Sequence, residues 1–447
     1  MPTAAVHGLA VTGRAVVAAF RARGWEVRVS DDALTDPHRE FAAGVGARVV
    51  DVSASDGIGS LLDGADVLVP APGVPPRSAV ITRALATGVS VRTEIDIACE
   101  WEQSRPGGPR PVLAVTGTDG KTTTTMLTAA LLRGAGLGAE EVGNTDVPFM
   151  AALDTPGVDA FVVECSSFRL RFTDVFRADA AVWLNFAPDH LDWHGDMDDY
   201  RRSKERVWAH ARPGDVAVAP AWDPSIVAAA RDSGARVVTF GPGPADYRVE
   251  GGHLVSPHGP LCAVDRMWRR LPHDVTNSLA AAALVVETGL VPVGAVGDAL
   301  ARFVPAHHRI ELVGRFGGAE WYDDSKATSP HAAATAIRAF DRVVLIAGGR
   351  NKDLDLRDMA CEPQRMHAVV AIGDDAPAVA DAFRGICPVD TASDMAQAVA
   401  LAAARIQPGV TVLLSPGCTS YDWYANYGER GDDFTARVRA HFGEDGR

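Results

Sequence analysis

Residues 112–136 read VLAVTGTDGKTTTTMLTAALLRGAG, which is an apolar run, a glycine-rich turn with one lysine, and then a helical stretch. This order predicts a strand, a loop and a helix, in which the loop N–H groups and the positive end of the helix hold phosphate oxygens. Lys121 would reach the β- and γ-phosphates of a nucleotide, and the Thr122 hydroxyl would bind Mg²⁺. We therefore predict a phosphate-binding site at this turn.

The loop is more compact than the phosphate loop of typical kinases and GTPases. Two residues separate Gly117 from Gly120, whereas the GxxxxGK[ST] pattern places four between its glycines. The spacing therefore points away from those two classes of enzyme.

Further α/β sequence lies on both sides of this segment. Apolar, β-rich runs alternate with helical stretches along the chain, and no repeat of fixed period occurs. Two breaks divide the pattern: SRPGGPRP at 104–111 suits a linker, and VPAHHRIELVG at 304–314 suits the exit from a domain. We predict an α/β protein with three domains, at residues 1–105, 106–305 and 306–447.

The composition is that of a folded globular protein. The 447 residues are 47% hydrophobic and 22% charged, which is close to the globular average. The formal net charge is −14 and no basic run interleaves with aromatic residues, so nucleic acid is not expected as a partner. No long charge-free apolar run occurs and the N-terminus lacks a signal-peptide pattern, so we expect no membrane insertion and a cytoplasmic location.

Six cysteines are scattered along the chain without a CxxC pair. Neither a structural zinc site nor a disulfide framework is indicated by this spacing. Buried free thiols are the preferred interpretation.

Lysine is rare in this chain compared with arginine. Of 43 basic residues, 39 are arginine and four are lysine, at positions 121, 204, 326 and 352. A lysine amine can lose its proton and react, whereas arginine stays charged. The four lysines therefore mark positions where arginine cannot substitute, or they are left over by chance.

Two candidate functional residues end or follow predicted strands, and a third lies in a predicted helix. Glu164 ends the strand AFVVE, where a carboxylate beside the phosphate loop is a hard ligand for Mg²⁺. His190 follows the strand AAVWLNF, and the carboxyl ends of parallel strands meet at the edge where α/β sites gather. Lys204 lies in a predicted helix, DDYRRSKERVW, among other cations. The alternatives are a capping or ion-paired Glu164, a structural His190 and a solvated Lys204.

The N-terminal region carries a weaker nucleotide signal. Residues 8–13 read GLAVTG, which keeps only the outer glycines of GxGxxG, so a tight turn between strand and helix explains them equally well. The acidic pair Asp31 and Asp32 follows at a strand end, where ribose or uracil contacts are often made in such folds.

The compact loop TGTDGKTT resembles the ATP loop of the Mur ligase family, and the resemblance extends over most of the chain. The other matching stretches are GNTDVP (143–148), ECSSFRL (164–170), NFAPDHLDWHG (185–195), YRRSKERVW (200–208), TNSLAAA (276–282), HHRIE (307–311), DDSKATSP (323–330), AGGRNKD (347–353) and LSPGCTSYDWYANYGERGDDF (414–434). Together these motifs are highly specific.

The resemblance implies an ATP-dependent ligase that adds D-glutamate to UDP-N-acetylmuramoyl-L-alanine through an acyl phosphate, in peptidoglycan precursor synthesis. It implies a Rossmann-like N-terminal domain for the UDP substrate, a central P-loop ATPase-like domain with a parallel sheet for ATP and Mg²⁺, and a Rossmann-like C-terminal domain for the amino acid. Two Mg²⁺ ions, a carbamate on Lys204 and a monomer are expected.

The resemblance also assigns residues to roles. The catalytic set is Lys121, Glu164, His190 and Lys204, and the metal set is Thr122, Glu164, His190 and Lys204. The ATP set is Gly117, Thr118, Asp119, Gly120, Lys121, Thr122, Thr123, Asn277, Arg309, Asp324 and Lys326. The substrate set is Val11, Thr12, Asp31, Asp32, Gly73, Asn144, Thr328, Lys352, Ser420, Tyr421 and Tyr427.

Three residues depart from the family pattern. Asp119 replaces the usual asparagine, and its carboxylate would repel phosphate unless it points away or pairs with a cation. Gly417 and Tyr421 leave the contacts of the amino-acid pocket open.

Two other functions remain open. A ligase of the same fold could add L-glutamate or another amino acid. A regulatory or scaffold protein could bind nucleotide without turnover, although the intact catalytic set argues against this.

Overall fold

The computed structural model describes residues 1–351 and 354–443, except for the side chain of Asp192. The chain forms two compact units: the first holds residues 1–270 and 274–303, and the second holds 271–273 and 304 onward. Both units contain parallel sheets with helices between the strands, so the predicted α/β class is confirmed.

The N-terminal sheet of the first unit is wholly parallel. Its strands are β1 (Thr3–His7), β2 (Glu26–Ser30), β3 (Arg48–Val49), β4 (Val67–Pro70) and β5 (Ser90–Val91). The helices of this part are α1 (Val11–Ala22), α2 (Asp36–Gly44), α3 (Gly57–Leu62), α4 (Ala79–Thr87) and α5 (Glu94–Gln103). The spatial order is β3-β2-β1-β4-β5, so the strand order reverses beside β1, where doubly wound sheets bind ligands.

The central sheet follows in the same unit. Its strands are β6 (Val112–Thr116), β7 (Ala139–Gly143), β8 (Ala160–Glu164), β9 (Ala180–Trp183), β10 (Val216–Pro220), β11 (Arg236–Gly241), β12 (Tyr247–Glu250), β13 (His253–Ser256) and β14 (Gly259–Ala263). The helices are α6 (Lys121–Gly134), α7 (Phe149–Ala152), α8 (Ser167–Leu170), α9 (Leu191–His194), α10 (Met197–Glu205), α11 (Pro224–Asp232), α12 (Pro272–Glu287) and α13 (Val293–Ala301). Short 3₁₀ turns occupy Arg206–Trp208 and Val264–Arg266.

The phosphate-loop strand β6 lies in the interior of the central sheet. The order is β14-β13-β12-β11-β10-β9-β6-β8-β7, with parallel pairing from β7 to β12. Strands β6, β8 and β9 are almost unbroken apolar runs and are buried throughout, as expected for parallel strands covered on both faces. Val115 pairs with Glu164 on one side and with Val182 on the other, so the ends of these three strands meet at one edge.

The second unit carries the third sheet. Its strands are β15 (Glu311–Phe316), β16 (Ala319–Asp323), β17 (Val343–Gly348), β18 (Met366–Ile372), β19 (Val389–Thr391) and β20 (Thr411–Gly417). Its helices are α14 (Pro330–Arg338), α15 (Ala376–Ala382), α16 (Met395–Ala404) and α17 (Tyr427–Phe442), with 3₁₀ turns at Leu356–Ala360 and Pro363–Arg365. The order is β15-β16-β20-β17-β18-β19, and among the described strands of this sheet only β15 and β16 pair in an antiparallel manner.

Some details differ from the sequence predictions. Helix α1 begins at Val11, so it already includes the last three residues of the segment 8–13, for which a tight turn between strand and helix is one of the two predictions. The preference for buried thiols is wrong for Cys361, which is exposed, and for Cys387, which is half-buried, and it is right for Cys99, Cys165, Cys262 and Cys418. The boundaries of the three predicted domains stay predictions. Among the described helices, none combines the length and the apolarity that a bilayer crossing requires.

Candidate active site

The phosphate loop connects β6 to α6, and its second glycine is required by its surroundings. Gly120 has a left-handed backbone with φ of +80°, a conformation that a side chain disfavours. A Cβ atom at Gly120 would also lie 2.8 Å from Oδ1 of the buried Asn277 on α12. The predicted ATP residues Gly120 and Asn277 are therefore direct neighbours.

The first half of the loop is held from the neighbouring strand. The Asn185 side chain accepts hydrogen bonds through Oδ1 from the backbone N–H of Thr118 at 3.0 Å and of Asp119 at 2.9 Å. Its Nδ2 donates to the Asp119 carbonyl at 3.1 Å. The Thr118 hydroxyl lies 3.2 Å from the Ala187 carbonyl and 3.2 Å from the Tyr200 hydroxyl. These contacts fix the loop backbone ahead of the helix.

Lys121 begins α6 and folds back over the loop. Its Nζ donates to the carbonyls of Gly117 at 3.0 Å and Thr118 at 2.7 Å. The predicted residues Thr122 and Thr123 follow in the first turn and are partly exposed. The first N–H groups of a helix lack partners within the helix, so this end can receive an anion.

Glu164 lies at the end of β8, next to the phosphate-loop strand. Its Oε1 accepts a hydrogen bond from Asn144 Nδ2 at 2.9 Å, and the residue is buried. Its Oε2 is buried and has no hydrogen-bond partner among the described residues. Buried carboxylate oxygens are normally satisfied, so the second oxygen is suited to a cation ligand.

His190 follows β9, on the other side of β6 from Glu164. It has a left-handed backbone with φ of 53°, and its Nε2 lies 3.2 Å from Asp189. Its ring packs edge-on against Phe168, with ring centres 4.7 Å apart. Within residues 1–351 and 354–443, no three or more His, Cys, Asp and Glu side chains are grouped as a metal site.

Lys204 is buried, so a solvated cation is the wrong interpretation of this residue. It is 1% exposed, and its Nζ donates to the Gly117 carbonyl at 2.6 Å and lies 4.6 Å from the centre of the Tyr200 ring. Burial lowers the pKa of the Lys204 ammonium group far below its usual value, and repulsion from Lys121 lowers it further. The attraction of Asp189 and Asp119 opposes this shift without overcoming it.

The predicted UDP residues lie around the turn after β1. The two oxygens of Asp31 accept from the N–H groups of Leu9 at 2.8 Å and Ala33 at 3.0 Å. The exposed Asp32 lies 3.4 Å from the buried His7. The predicted residues Val11 and Gly73 are exposed, and Thr12 is partly exposed.

Thr12 is joined to the central part of the unit by Arg169. The Arg169 guanidinium donates to the Thr12 hydroxyl at 3.0 Å and to Glu94 at 2.9 Å. Both Arg169 and Glu94 are buried, and Glu94 also accepts from the Met150 N–H at 2.7 Å. This ion pair ties α5 to α8 beside the expected substrate site.

Asp324 is the buried carboxyl group of the second unit's predicted site. It accepts hydrogen bonds from the Ser415 hydroxyl at 2.7 Å and from the Ile310 N–H at 3.2 Å. Burial raises the pKa of Asp324 to about 7, although Ser415 and the nearby Arg309 favour the ionised form. The Lys326 ammonium group lies 3.8 Å from the centre of the Tyr427 ring.

The predicted amino-acid residues of this unit have different exposures. Ser420 is buried, Thr328 is partly exposed and Tyr421 is 66% exposed. The backbone carbonyl of Ser420 accepts from the N–H groups of Trp423 at 3.2 Å and Tyr424 at 2.8 Å. Lys352, the other predicted amino-acid residue, lies outside the described residues.

Sequence reasoning missed several residues that support the candidate site through hydrogen bonds and ion pairs. They are Asn185, the pair Arg169 and Glu94, and His194, which lies 2.9 Å from the Ser167 hydroxyl and 3.2 Å from Asp199. The only signal for Asn185, His194 and Arg169 is their place in the matched stretches NFAPDHLDWHG and ECSSFRL, and Glu94 lies in neither, because the partners of these residues are distant in sequence.

The fold resembles solved Mur ligases over almost the whole chain. The MurF ligase of Thermotoga maritima, solved in complex with ADP, matches with a TM-score of 0.62 and 16% identity, over 93% of this chain and 96% of that chain. The UDP-N-acetylmuramate-alanine ligase MurC of Thermotoga maritima matches with a TM-score of 0.58 and 18% identity, over 99% and 100% of the two chains. At such identities the likeness supports the fold alone.

Sequence comparison gives a closer relationship. The Mur ligase middle domain matches residues 115–285, and the Mur ligase glutamate ligase domain matches residues 308–418. The UDP-N-acetylmuramoylalanine--D-glutamate ligase of Frankia casuarinae is 40% identical over 98% of this chain and 94% of its own length. The ligase of the same name from Anaeromyxobacter dehalogenans is 37% identical over 96% of each chain. Identity at this level over nearly the full length shows that the chain belongs to the Mur ligase family.

Proposed function

We propose that the chain is the ATP-dependent ligase that adds D-glutamate to UDP-N-acetylmuramoyl-L-alanine in peptidoglycan precursor synthesis. The observation that carries this proposal is the 40% identity to a D-glutamate ligase over almost the whole of both chains. The candidate site supports it, because Lys121 and Lys204 both contact the carbonyl of Gly117 and Glu164 ends the adjacent strand.

The proposed reaction has two steps. The carboxylate of UDP-N-acetylmuramoyl-L-alanine attacks the γ-phosphorus of ATP, which gives an acyl phosphate and ADP. The amine of D-glutamate then attacks the acyl carbon, and the tetrahedral intermediate collapses to the amide and phosphate. Positioning and charge neutralisation account for most catalysis of phosphoryl transfer, so the protein needs to supply little covalent chemistry.

Lys121 is the proposed contact to the transferred phosphate. Its ammonium group now lies 2.7 and 3.0 Å from two loop carbonyls, at the start of α6. Phosphate oxygens are stronger acceptors than carbonyls, because they carry charge. We expect Lys121 to exchange these carbonyls for the β- and γ-phosphates while the helix end stays in place.

The donor set fits Mg²⁺, which the family resemblance implies. The unpartnered Oε2 of Glu164 offers a hard anionic ligand, and the Thr122 hydroxyl and His190 offer neutral ones. When bound, Mg²⁺ would neutralise phosphate charge as the acceptor carboxylate approaches. Two ions are proposed, with Lys204 contributing to the second as a carbamate.

The surroundings of Lys204 support the carbamate. Its amine is buried against a backbone carbonyl and an aromatic ring, and it forms no ion pair within the described residues. An uncharged amine adds CO₂ by forming an N–C bond and releasing a proton, and the product is an anionic oxygen ligand. Arginine cannot follow this route, since it remains protonated.

The substrate ends are proposed to bind in the predicted domains, 1–105 for UDP, 106–305 for ATP and 306–447 for the amino acid. The residues proposed for UDP-N-acetylmuramoyl-L-alanine are Val11, Thr12, Asp31, Asp32, Gly73 and Asn144. Those proposed for ATP besides the phosphate loop are Asn277, Arg309, Asp324 and Lys326, and those for D-glutamate are Thr328, Lys352, Ser420, Tyr421 and Tyr427. A cytoplasmic monomer is part of the proposal.

One assay tests this function against a ligase for L-glutamate or another amino acid. The purified protein is incubated with ATP, Mg²⁺, UDP-N-acetylmuramoyl-L-alanine and each amino acid in turn, and phosphate release and product mass are measured. We expect phosphate and a product of the added mass with D-glutamate. Absence of phosphate with every amino acid would contradict a ligase, and turnover with L-glutamate alone would contradict the proposed substrate.

A further inference from the structure

Asn185 lies where the loop after β9 runs beside the phosphate loop. Thr116 pairs with Trp183, and the ladder continues through the bond from the Leu184 N–H to the Thr116 carbonyl at 2.9 Å. The Thr118 N–H then bonds to the Asn185 carbonyl at 3.1 Å. These bonds place the backbone of Asn185 beside the phosphate loop. Its side chain therefore lies close to the backbone of Thr118 and Asp119.

The carboxamide of Asn185 contacts both donors and an acceptor of the phosphate-loop backbone. Oδ1 accepts from the N–H groups of Thr118 and Asp119 at 3.0 and 2.9 Å, and Nδ2 donates to the Asp119 carbonyl at 3.1 Å. A neutral amide carries an acceptor and two donors on one planar group, which a carboxylate or a hydroxyl does not offer in this arrangement.

These bonds decide which part of the loop faces a phosphate. The N–H groups of Thr118 and Asp119 are committed to Asn185, whereas the N–H groups from Gly120 onward belong to the start of α6. The helix end is the part that attracts anions. Fixing the peptides before Gly120 therefore fixes the direction in which that end points.

We infer that Asn185 is a positioning residue that holds the phosphate loop in its ATP-binding form. This inference rests on the proposed ATP-dependent function. Asn185 acts through the backbone of Thr118 and Asp119. Its hydrogen bonds strengthen the binding of ATP.

Two variants test this role. Asn185→Asp keeps the shape and both acceptor contacts, but its carboxylate cannot donate to the Asp119 carbonyl, so two oxygens face each other. Asn185→Ala removes all three contacts. Gln407→Glu is the matched control, because it makes the same change from amide to acid at an exposed position whose oxygen accepts from Arg342.

The measurement is ATP binding by titration calorimetry with MgCl₂, together with the KM of each substrate. We expect the ATP dissociation constant to rise about tenfold in Asn185→Asp and further in Asn185→Ala, since each lost hydrogen bond in a polar site weakens binding by up to this order. The KM values for D-glutamate and the UDP substrate should stay within about twofold of wild type, and Gln407→Glu should match wild type.

Three outcomes would overturn the inference. They are equal ATP affinities of wild type and both Asn185 variants, an equal loss for all three substrates, and no ATP binding by the wild type. A purely structural role of Asn185 would lower the unfolding temperature without changing ATP affinity selectively. The titration needs no second substrate, so a wild type that binds ATP but adds no D-glutamate would contradict the proposed function and leave this inference standing.

Discussion

Arg169 and Lys204 are two buried basic residues of the first unit, and their surroundings differ. The Arg169 guanidinium donates to Glu94 at 2.9 Å and to the Thr12 hydroxyl at 3.0 Å. The Lys204 ammonium group donates to the Gly117 carbonyl at 2.6 Å and lies against the Tyr200 ring. Arg169 therefore has a buried carboxylate partner, and Lys204 has no ion pair within the described residues.

The difference follows from the chemistry of the two side chains. A charge without a partner in the interior costs several kcal/mol, and arginine cannot avoid this cost by losing its proton. Lysine can, and burial accordingly lowers the pKa of Lys204 far below its usual value. A paired arginine serves to join parts of the fold, whereas an unpaired buried lysine is available as a reactive amine.

The largest expected effect comes from Lys204→Arg. The guanidinium stays charged and cannot add CO₂, so we expect kcat to fall by about 10³-fold or more, the scale on which lost charge stabilisation acts in catalysis. Added bicarbonate should not restore it. The measurement is the rate of phosphate release with saturating substrates.

Arg202→Lys is the matched control for that exchange. Arg202 lies on the same helix, is 65% exposed and pairs only weakly with Asp199 at 3.6 Å. Its variant should keep near-normal kcat. A near-normal rate in Lys204→Arg would instead make Lys204 a structural cation like Arg169.

Glu94→Gln should damage stability rather than chemistry. It leaves the Arg169 charge buried without its carboxylate, so we expect the free energy of unfolding to fall by about 3 kcal/mol or more. Lys204→Met should change stability by less than about 1 kcal/mol, or raise it, because no ion pair is broken. Urea unfolding at neutral pH measures the free energy of unfolding of both variants. A larger loss of stability in Lys204→Met than in Glu94→Gln would contradict this expectation.

Asp324 extends the comparison to a buried acid in the second unit. Its folded pKa of about 7 lies above its ordinary value of 3.8, so the folded state holds the proton more tightly. Native stability is therefore lost as the pH rises from about 4 to 7. Asp324→Asn removes this loss, so the stability of the variant relative to wild type should be higher at pH 8 than at pH 5 by about 3 kcal/mol, because about two pH units separate pH 5 from the folded pKa and each contributes about 1.4 kcal/mol.

Urea unfolding at the two pH values provides the measurement for Asp324. Ser415→Ala is a useful companion, because it removes the hydroxyl that favours the ionised form and should steepen the pH dependence. An equal difference between Asp324→Asn and wild type at pH 5 and pH 8 would show that Asp324 does not titrate in this range.

The parts of the fold that the sequence predicts well are those with local signals. The almost unbroken apolar runs of β6, β8 and β9 and the glycines of the loop indicate strands, a turn and a helix without tertiary information. The short mixed strands YRVE and HLVS (β12 and β13) have no such run, because they pair in an antiparallel extension at the sheet edge.

The candidate site also contains residues that local sequence predicts and residues whose surroundings it does not. Glu164 and His190 were placed at strand ends, and the strand order sets them on either side of β6. The burial of Lys204 could not be predicted from DDYRRSKERVW, since its charged neighbours are typical of a solvated helix. Arg169 is 75 residues from Glu94, and Asn185 is 67 from Thr118, so their contacts depend on tertiary packing.

Asp119→Asn should have the smallest effect of these substitutions. It also changes the charge that surrounds Lys204. The Asp119 backbone is fixed by Asn185, and its carboxylate attracts Lys204 while adding a negative charge to a phosphate loop. Removing that charge should lower the KM for ATP by about two- to fivefold, and less at high salt, where charges are screened. It also removes one of the attractions that keep the proton on Lys204, so the amine should become more readily uncharged. Steady-state kinetics at two ionic strengths measures the KM for ATP and its salt dependence, and a higher KM in the variant would show that Asp119 assists ATP binding instead of opposing it.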